Sequence, residues 1–406
     1  MANIRIKDTS TPVVVINNKL GGLTIMRSLG QLGVELHGVD ESPRAAGMLS
    51  RYCRHKHIKR FDEERPEEYL DFLLELGRSL DRKAILIPTS DITGVFVCRY
   101  AEQLKEYFLF PANDVDLMER LINKATMFDI ALENDVPTAK TLFPRNRGEV
   151  EEYIKTGMFP IMLKAVYGHK LMQRTGKKML IVHDAEELLK WYDELEDPDD
   201  PNLMIQEFIP GGDDQVYIFN GYFDGNSDCL AAFTGHKIRQ YPIHIGSASL
   251  GECRWHPDVA ELTTRFMKDI GYKGILDIGY RLDPRDGKYK VLDINPRVGQ
   301  AFRIFVAQNN MDVVRSLYLD LTGQEQFEIV PREGRRWMIE NHDVIATYYY
   351  FKEGSLSFGE WLKSFRKLQE GAWFSWRDPW PFLVMSGRLS KRIIQFILRR
   401  PGRIEE

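Results

Sequence analysis

The first 112 residues alternate short apolar runs with an amphipathic stretch, which is the pattern of an α/β fold. Residues 11–40 give a β-branched run, the turn NNKLGG, an amphipathic helix and a second strand that ends at Asp40. The segment AILIPTSD at 84–91 predicts another buried strand with Asp91 at its polar end. Open α/β sheets bind ligands at such strand ends, so we predict a doubly wound domain. The turn lacks GxGxxG spacing, which argues against a dinucleotide and leaves Asp40 as a strand-end residue.

The pattern then changes to helices followed by two strands around a basic loop. Lys124 lies between two helical stretches at 113–143, and Lys164 lies in the strand FPIMLKAV. The loop between the strands holds glycines and bases that suit a phosphate, namely Gly168, His169, Lys170, Arg174, Gly176, Lys177 and Lys178. Each feature also has an ordinary explanation, because a strand lysine often reaches water along its apolar stem and a basic loop is usually just solvated.

A further strand, NLMIQEFI, ends in a Pro-Gly-Gly corner and leads into antiparallel strands. A segment that leaves a strand in this way offers backbone groups to the edge of a base, and Asp214 beyond the glycines suits ribose hydroxyls. The corner is therefore a candidate nucleotide contact.

The segment GILDIGYRLDPRDGKYKVLDINPR predicts a hairpin that turns at DPRDG. Asp277 and Asp293 lie on facing strands, where two carboxylates repel each other unless a cation separates them. Asp293, Asn295 and Arg297 alternate along one strand face, so they line one wall. Mg²⁺ takes carboxylate and amide oxygens together with phosphate, and a guanidinium grips an anion with two donors. The alternative is a capped strand end with a surface Asp–Arg pair.

Composition limits the number of domains and the kinds of partner, but it does not point to a further site. With 406 residues the chain is long enough for two or three domains, and 43% hydrophobic residues can fill their cores. A net charge of −4, from 55 basic and 59 acidic residues, predicts no general attraction to nucleic acid or to an anionic membrane. The cysteines form no CxxC pair and we find no leader or apolar span, so we predict a protein of the reducing cytoplasm.

In the order of these motifs, residues 12–325 resemble the ATP-grasp ligases, most closely the carboxylate–amine ligase branch with its D-aspartate ligase-like proteins. The resemblance implies a pre-ATP-grasp α/β domain at 1–112 and an ATP-grasp domain at 113–325, in which 143–208 form a small lid subdomain. An aromatic and basic C-terminal extension at 326–406 lies outside the resemblance.

The resemblance implies roles for individual residues. Those expected to contact ATP are Lys124, Lys164, Gly168, His169, Lys170, Gln206, Glu207, Phe208, Ile209 and Asp214. Lys237 and Arg239 match a basic pair that faces the γ-phosphate or the acceptor, and Arg297 matches the arginine that steadies the acyl phosphate or substrate. Asp293 and Asn295 match the ligands of Mg²⁺, or of Mn²⁺ in its place.

Two departures from the family pattern bear on the metal site and the phosphate loop. Many members place an acid where this chain has Gly279, so we expect Asp277, two residues earlier on the same strand face, to take its place. If Asp277 does not reach the ion, binding rests on Asp293 and Asn295, and activity is weak or absent. The phosphate loop has few glycines, which indicates neutralisation by basic side chains more than a bare backbone cradle.

The implied activity is ligation: a carboxylate is activated by ATP as an acyl phosphate and joined to an amine, with release of ADP and phosphate. Alternatives are a catalytically silent ATP-binding protein of the same fold and a carboxylase-type enzyme. The stretch 382–403 predicts an amphipathic basic helix, which favours packing on its own domain or on a second subunit of a homodimer over the inner face of a membrane. We take His342 and Asp343 as local structure, because they lack metal-ligand spacing.

Overall fold

The computed structural model describes residues 6–165, 171, 175, 179–197 and 201–398, with side chains as far as Lys391. The chain forms two compact units, each built from segments that are distant in sequence. The first combines Met1–Met118, Tyr217–Asp277 and Asn295–Glu406, and the second combines Glu119–Val216 and Ile278–Ile294. The predicted domain boundaries at residues 112 and 325, and the predicted lid subdomain at 143–208, stay predictions. They divide the chain into consecutive segments, whereas each compact unit combines segments that are distant in sequence.

A parallel sheet opens the first unit and confirms the predicted doubly wound arrangement. Its strand order is β3-β2-β1-β4-β5. The strands are β1 Val13–Ile16, β2 Leu36–Asp40, β3 His55–Ile58, β4 Ala84–Pro88 and β5 Phe108–Leu109. The helices between them are α1 Leu20–Gly30, α2 Pro66–Ser79, α3 Asp91–Arg99 and α4 Ala101–Leu104. β1 and β4 are almost wholly buried because helices cover both faces of the sheet, which explains their uninterrupted apolar sequence.

The turn after β1 shows why Asp40 is a strand-end residue. The Asp40 carboxylate accepts a hydrogen bond from the backbone N–H of Asn18 at 2.7 Å. The Asn18 amide in turn donates to the carbonyls of Val15 and Val39. Burial raises the pKa of Asp40. Its carboxylate therefore ties the ends of β1 and β2 together.

The second unit contains an antiparallel sheet with the strand order β6-β9-β7-β8. These strands are β6 Thr141–Leu142, β7 Ile161–Ala165, β8 Met179–Val182 and β9 Leu203–Glu207. The accompanying helices are α6 Lys124–Glu133, α7 Arg147–Thr156 and α8 Ala185–Leu195, and the boundary between the units falls within α5 Val115–Ile122. Alternate residues of β7 are buried, as expected when one face of an antiparallel sheet packs on helices. Lys164 lies on the opposite face of β7 from this core.

A larger sheet has the strand order β14-β13-β10-β11-β12-β15-β16. Its strands are β10 Val216–Phe223, β11 Cys229–Tyr241, β12 Ser247–Cys253, β13 Gly274–Asp283, β14 Lys288–Asn295, β15 Arg336–Met338 and β16 Leu368–Gly371. The later helices are α9 Pro257–Asp269, α10 Val313–Leu321, α11 Glu340–Glu353, α12 Phe358–Ser364 and α13 Trp380–Leu398. Gly287 closes the hairpin turn between β13 and β14 with φ +70°, a conformation that favours glycine.

Residues beyond 325 contribute directly to the first unit. β15 pairs with β12 in antiparallel register and β16 with β15 in parallel. Arg27 on α1 donates to the buried carboxylate of Asp378 at 3.0 Å. In α13, Met385 is buried and Arg388 donates to the carbonyl of Arg44. None of the helices in the described part of the chain combines the length and apolar character needed to cross a bilayer. Contact with a membrane surface or a second subunit stays a prediction.

Candidate functional site

The end of β14 carries the polar motif that the sequence singled out. Asp293 and Asn295 are two residues apart on the strand and half-buried, while Ile294 between them is buried. Arg297 follows at once, and its backbone N–H donates to the carbonyl of Asn295 at 2.8 Å. Strand alternation therefore gives the acid and the amide one face, as predicted. A carboxylate and an amide oxygen on one face are suitable donors for Mg²⁺.

Arg297 joins Asn295 to the parallel sheet of the first unit. Its Nε donates to Oδ1 of Asp91 at 2.5 Å, and its Nη2 donates to Oδ1 of Asn295 at 3.2 Å. Asp91 begins α3 directly after β4, at the strand end where the sequence predicted a ligand edge. The guanidinium is half-buried, so it is held in place and still accessible. This arrangement can orient Arg297 toward an anionic substrate group.

Asp277 on β13 lies against the loop that follows Arg297. A Cβ added at Gly299 would come within 2.3 Å of Asp277 Oδ2, so only glycine permits this approach. Asp277 is half-buried and has partners within the protein. β13 is the neighbour of β14 in the sheet order, as the hairpin prediction requires. That Asp277 binds the metal ion, in place of the acid that the family has at the position of Gly279, stays a prediction.

In the second unit, Lys164 is held beside a neutral partner. Its Nζ donates to Oε1 of Gln206 at 2.6 Å, and Gln206 Nε2 donates to the hydroxyl of Thr141 at 2.9 Å. Burial away from water lowers the pKa of Lys164 the most, and the positive charge of Lys124 lowers it further, to about 8. The negative charge of Asp293 acts in the opposite direction. Two ammonium groups so close repel each other. An anion such as a phosphate would relieve that repulsion.

Lys124 owes its place to the start of α6. The side chain of Asn123 caps the helix by accepting from the N–H of Ala125 at 2.9 Å. The positive end of the helix dipole therefore lies at the same place as the Lys124 side chain. Both contributions favour a negatively charged ligand.

Glu207 at the end of β9 is bound by the β13–β14 hairpin of its own unit. Arg285 donates to Glu207 Oε1 at 2.6 Å, and Lys290 lies 3.5 Å from Oε2. Both bases also contact Asp283, which is fully buried and whose pKa the hydrogen bonds from Arg285 lower the most. The backbone of Glu207 donates to the carbonyl of Lys140. The predicted hinge strand is therefore fixed at its end by an ionic network.

The remaining residues expected near the nucleotide lie just beyond this strand. Phe208 is half-buried, Ile209 is buried and Asp214 is exposed on a short 3₁₀ turn. Asp213 and Asp214 act electrostatically on Arg281, whose pKa burial nevertheless lowers. Gly168, His169 and Lys170 of the predicted phosphate loop lie outside the described residues. The contacts of all these residues with a nucleotide stay predictions.

Lys237 and Arg239 occupy β11, where the pairing with β12 is irregular. Lys237 Nζ donates to the carbonyl of Gly246 at 2.9 Å. Arg239 is 2% exposed, and its Nε and Nη2 donate to Asp343 at 2.9 and 2.7 Å. Its Nη1 donates to the hydroxyl of Ser364 at 2.7 Å. A role of Arg239 at the reacting phosphate stays a prediction that these contacts do not favour.

Comparisons with known proteins bear on the fold of the chain. D-aspartate ligase of Enterococcus faecium (strain Aus0004) is 28% identical over 275 residues, which are 64% of this chain and 64% of that protein. The chain therefore spans less than two thirds of this relative. N5-carboxyaminoimidazole synthetase from Staphylococcus aureus, complexed with ADP, superposes with a TM-score of 0.61 at 13% identity, covering 82% of each chain. The chain has the ATP-grasp fold.

L-amino acid ligase from Bacillus licheniformis shares the ATP-grasp fold with this chain at a TM-score of 0.59 and 14% identity. The alignment covers 81% of this chain and 79% of that protein. No protein-family model matches the chain. The predicted fold class and the resemblance to ATP-grasp ligases are confirmed.

Within the ATP-grasp fold, several partners of the site were not identified from the sequence. The place of Gln206 beside the base stays a prediction, and its side chain also accepts a hydrogen bond from Lys164, which was not expected. Arg285 and Lys290 were treated as parts of a turn and a strand, whereas both contact Glu207. The alternation of acids and bases around DPRDG was the available signal. It does not reveal which distant carboxylate the bases would meet.

Proposed function

We propose that this chain is an ATP-dependent ligase that activates a carboxylate as an acyl phosphate and joins it to an amine. The observation that carries the proposal is the excess positive charge around Lys164. Its nearest bonded partner is a neutral amide, and Lys124 adds a second positive charge. Such a place favours the phosphates of a nucleotide, and D-aspartate ligase as a relative favours carbon–nitrogen bond formation.

Each residue of the site has a proposed role. Lys124 and Lys164 bind phosphate oxygens, Gln206 orients Lys164, and the backbone of Glu207, Phe208 and Ile209 borders the base. Arg297, oriented by Asp91, holds the carboxylate that reacts. Lys237 contributes positive charge to the phosphate, and Asp214 contacts ribose. The role of Gly168, His169 and Lys170 as a loop over the phosphates is carried from the sequence.

The oxygen donors fit Mg²⁺. Asp293 and Asn295 share a strand face, and the close approach at Gly299 leaves room for the Asp277 carboxylate against the same loop. Hard oxygen donors of this kind suit Mg²⁺, and Mn²⁺ in its place, far better than they suit softer ions. When bound, the ion would neutralise charge that develops on the phosphates.

The reaction follows from these positions. A carboxylate oxygen attacks the γ-phosphorus in line, and the bond from that phosphorus to the bridging oxygen of ADP breaks. The amine then attacks the acyl carbon, loses a proton, and phosphate leaves. No protein nucleophile is required, so the chain contributes position and charge. Exclusion of water matters because an exposed acyl phosphate would hydrolyse first.

The test is release of ADP by the purified chain with Mg²⁺ and ATP. A panel of amino acids that begins with D-aspartate is supplied as amines, together with small carboxylic acids, singly and in pairs. We expect ADP and phosphate only when both partners are present. Release that depends on bicarbonate would favour the carboxylase-type alternative. Binding of ATP without turnover for any pair would favour a silent relative, and both outcomes contradict ligation.

A further inference from the structure

The edge of the parallel sheet brings three histidines and one glutamate to one face. β3 lies at the edge, and its register with β2 places His55 directly beside His37. Glu35 precedes His37 by two residues and His57 follows His55 by two. Because side chains two apart on a strand share a face, all four groups project on the same side. None of these four residues is assigned to the ligase site.

The potential ligand atoms lie at distances that a metal ion requires. Glu35 Oε1 is 3.1 Å from His37 Nε2 and 3.1 Å from His55 Nε2. These three atoms all lie within 4.8 Å of one another. Zinc bonds of about 2.0–2.1 Å in a tetrahedron place neighbouring ligand atoms roughly 3.3 Å apart. Rotation of the half-exposed His55 ring out of its stack on His37, with a shift of the half-exposed Glu35 side chain, would admit an ion.

We propose that Glu35, His37 and His55 bind one divalent transition-metal ion, with Zn²⁺ as the ion to test. Imidazole nitrogens combined with one carboxylate suit Zn²⁺ and its neighbours in the first transition row. They do not suit Mg²⁺, which prefers oxygen ligands, so the site is chemically distinct from Asp293 and Asn295. Three protein ligands leave the fourth position to water.

His57 completes the site from outside the ligand set. Its Nε2 lies 3.2 Å from His37 Nδ1, the nitrogen that faces away from Glu35. A metal-ligating histidine usually donates its other N–H to such an acceptor, which fixes the orientation of the ring. On metal binding, the proton of the neutral His37 ring moves from Nε2 to Nδ1 and is donated to His57. The ring keeps one proton throughout.

The burial pattern gives the ion both a rigid base and an entry path. His37 is buried, whereas the side chains of Glu35 and His55 are about half exposed. The His37 and His55 rings are stacked with centroids 4.3 Å apart, and both Nε2 atoms lie 3.1 Å from the same Glu35 oxygen. An ion there would link the edge strand β3 to β2. Saturating metal should therefore raise the melting temperature, because ligand binding favours the folded state.

The competing explanation is a metal-free cluster in which both rings donate hydrogen bonds to Glu35. Calorimetric titration with Zn²⁺ separates the two explanations. The 406-residue chain carries no tag, is first treated with a chelator, and is titrated in the presence of excess Mg²⁺. We expect one Zn²⁺ per chain with micromolar or tighter affinity. His55→Ala and Glu35→Gln should each weaken binding at least about tenfold, by comparison with the 10- to 100-fold cost of losing even an outer partner.

The matched control is His183→Ala, because His183 is an exposed histidine of the second unit that lies outside the cluster. Its Zn²⁺ affinity should equal that of the unaltered chain. A second readout is the visible absorption of Co²⁺, which gains intensity in a tetrahedral site and should be lost in His55→Ala. Absence of saturable Zn²⁺ binding, or equal affinity in His55→Ala and the unaltered chain, would overturn the proposal.

Discussion

The family resemblance implies that Lys164 binds phosphate and that Arg239 faces the γ-phosphate or the acceptor, yet the surroundings of these two basic side chains differ fundamentally. Arg239 is buried against the carboxylate of Asp343, which matches its charge and takes two of its donors. Lys164 is held by the neutral amide of Gln206 next to the positive charge of Lys124. An arginine whose donors are already taken by a buried carboxylate is occupied within the fold, whereas a lysine bonded to a neutral amide, and only partly balanced by Asp293, has capacity left for a ligand.

The pKa of Lys164 expresses this difference. Desolvation and a like charge both disfavour the ammonium, and together they lower its pKa to about 8. An arrangement that costs folding free energy is retained where it serves a site. We therefore propose that Lys164 binds a ligand and that Arg239 supports the structure of the first unit, and experiment can contradict each proposal.

The largest expected effect on stability is that of Arg239→Met. Within the described part of the chain, it leaves the Asp343 carboxylate buried without a counter-ion and with the hydroxyl of Ser249 as the side-chain group still donating to it, so we expect the free energy of unfolding to fall by about 3–5 kcal/mol. Chemical denaturation measures this. The double variant Arg239→Met/Asp343→Leu should recover much of the loss, and Arg65→Met, which breaks only exposed pairs, is the control. A stable Arg239→Met chain that had lost turnover would instead make Arg239 a phosphate contact.

Lys164→Met should show the opposite behaviour. We expect ADP release to fall by about 10²–10³, because a charge aimed at the reacting phosphate is removed. The melting temperature should stay near that of the unaltered chain, since the repulsion from Lys124 disappears as well. A fall in stability without a fall in turnover would refute the assignment. Asp293→Ala should likewise abolish turnover.

Arg285→Met gives a smaller effect on the ionic network at Glu207. Arg285 is 38% exposed and Asp283 keeps its contact with Lys290, so we expect the free energy of unfolding to fall by about 1 kcal/mol or less. Arg147→Met, which removes about half-exposed ion pairs with Asp193 and Glu151, is the matched control in the same unit. A loss as large as that of Arg239→Met would mean that partial exposure does not weaken this network.

The smallest effect concerns protons. Near pH 8 about half of the Lys164 amines are neutral, and a bound phosphate favours the ammonium, so nucleotide binding should take up about half a proton. Calorimetry in buffers of different ionisation enthalpy measures this uptake. The affinity should fall as the pH rises above 8.

The lowered pKa of Lys164 also makes the free energy of unfolding depend on pH, in the opposite direction to the nucleotide affinity. Between pH 8 and the ordinary lysine pKa, the unfolded chain holds more protons than the folded chain, so stability should rise with pH from this group. Both dependences should disappear in Lys164→Met. If they persist there, a group other than Lys164 is responsible.

Local pattern predicted much of this molecule. The βαβ start, the hairpin at DPRDG and the shared face of Asp293 and Asn295 follow from periodicity and turn chemistry, and the structure has them. Asp343 was taken as local structure, and its pairing with Arg239 is a structural role of longer range. Periodicity tells which side chains share a face, but not which element covers that face.

The partners that bind the basic side chains discussed above lie far apart from them in sequence. Arg239 and Asp343 are separated by 104 residues, and Arg297 and Asp91 by 206. The alternating histidines at 55 and 57 carried a visible signal, yet only the strand register brings them to His37 and Glu35. Counter-ion matching therefore needs the fold, and it is this matching that separates a binding lysine from a structural arginine.

The most direct test is calorimetric titration of a non-hydrolysable ATP analogue with Mg²⁺ into the unaltered chain, Lys164→Met, and the double variant Arg239→Met/Asp343→Leu. We expect saturable binding to the unaltered chain and to the double variant, and a loss of about 10² or more in affinity for Lys164→Met. Equal affinity for Lys164→Met and the unaltered chain would contradict this expectation.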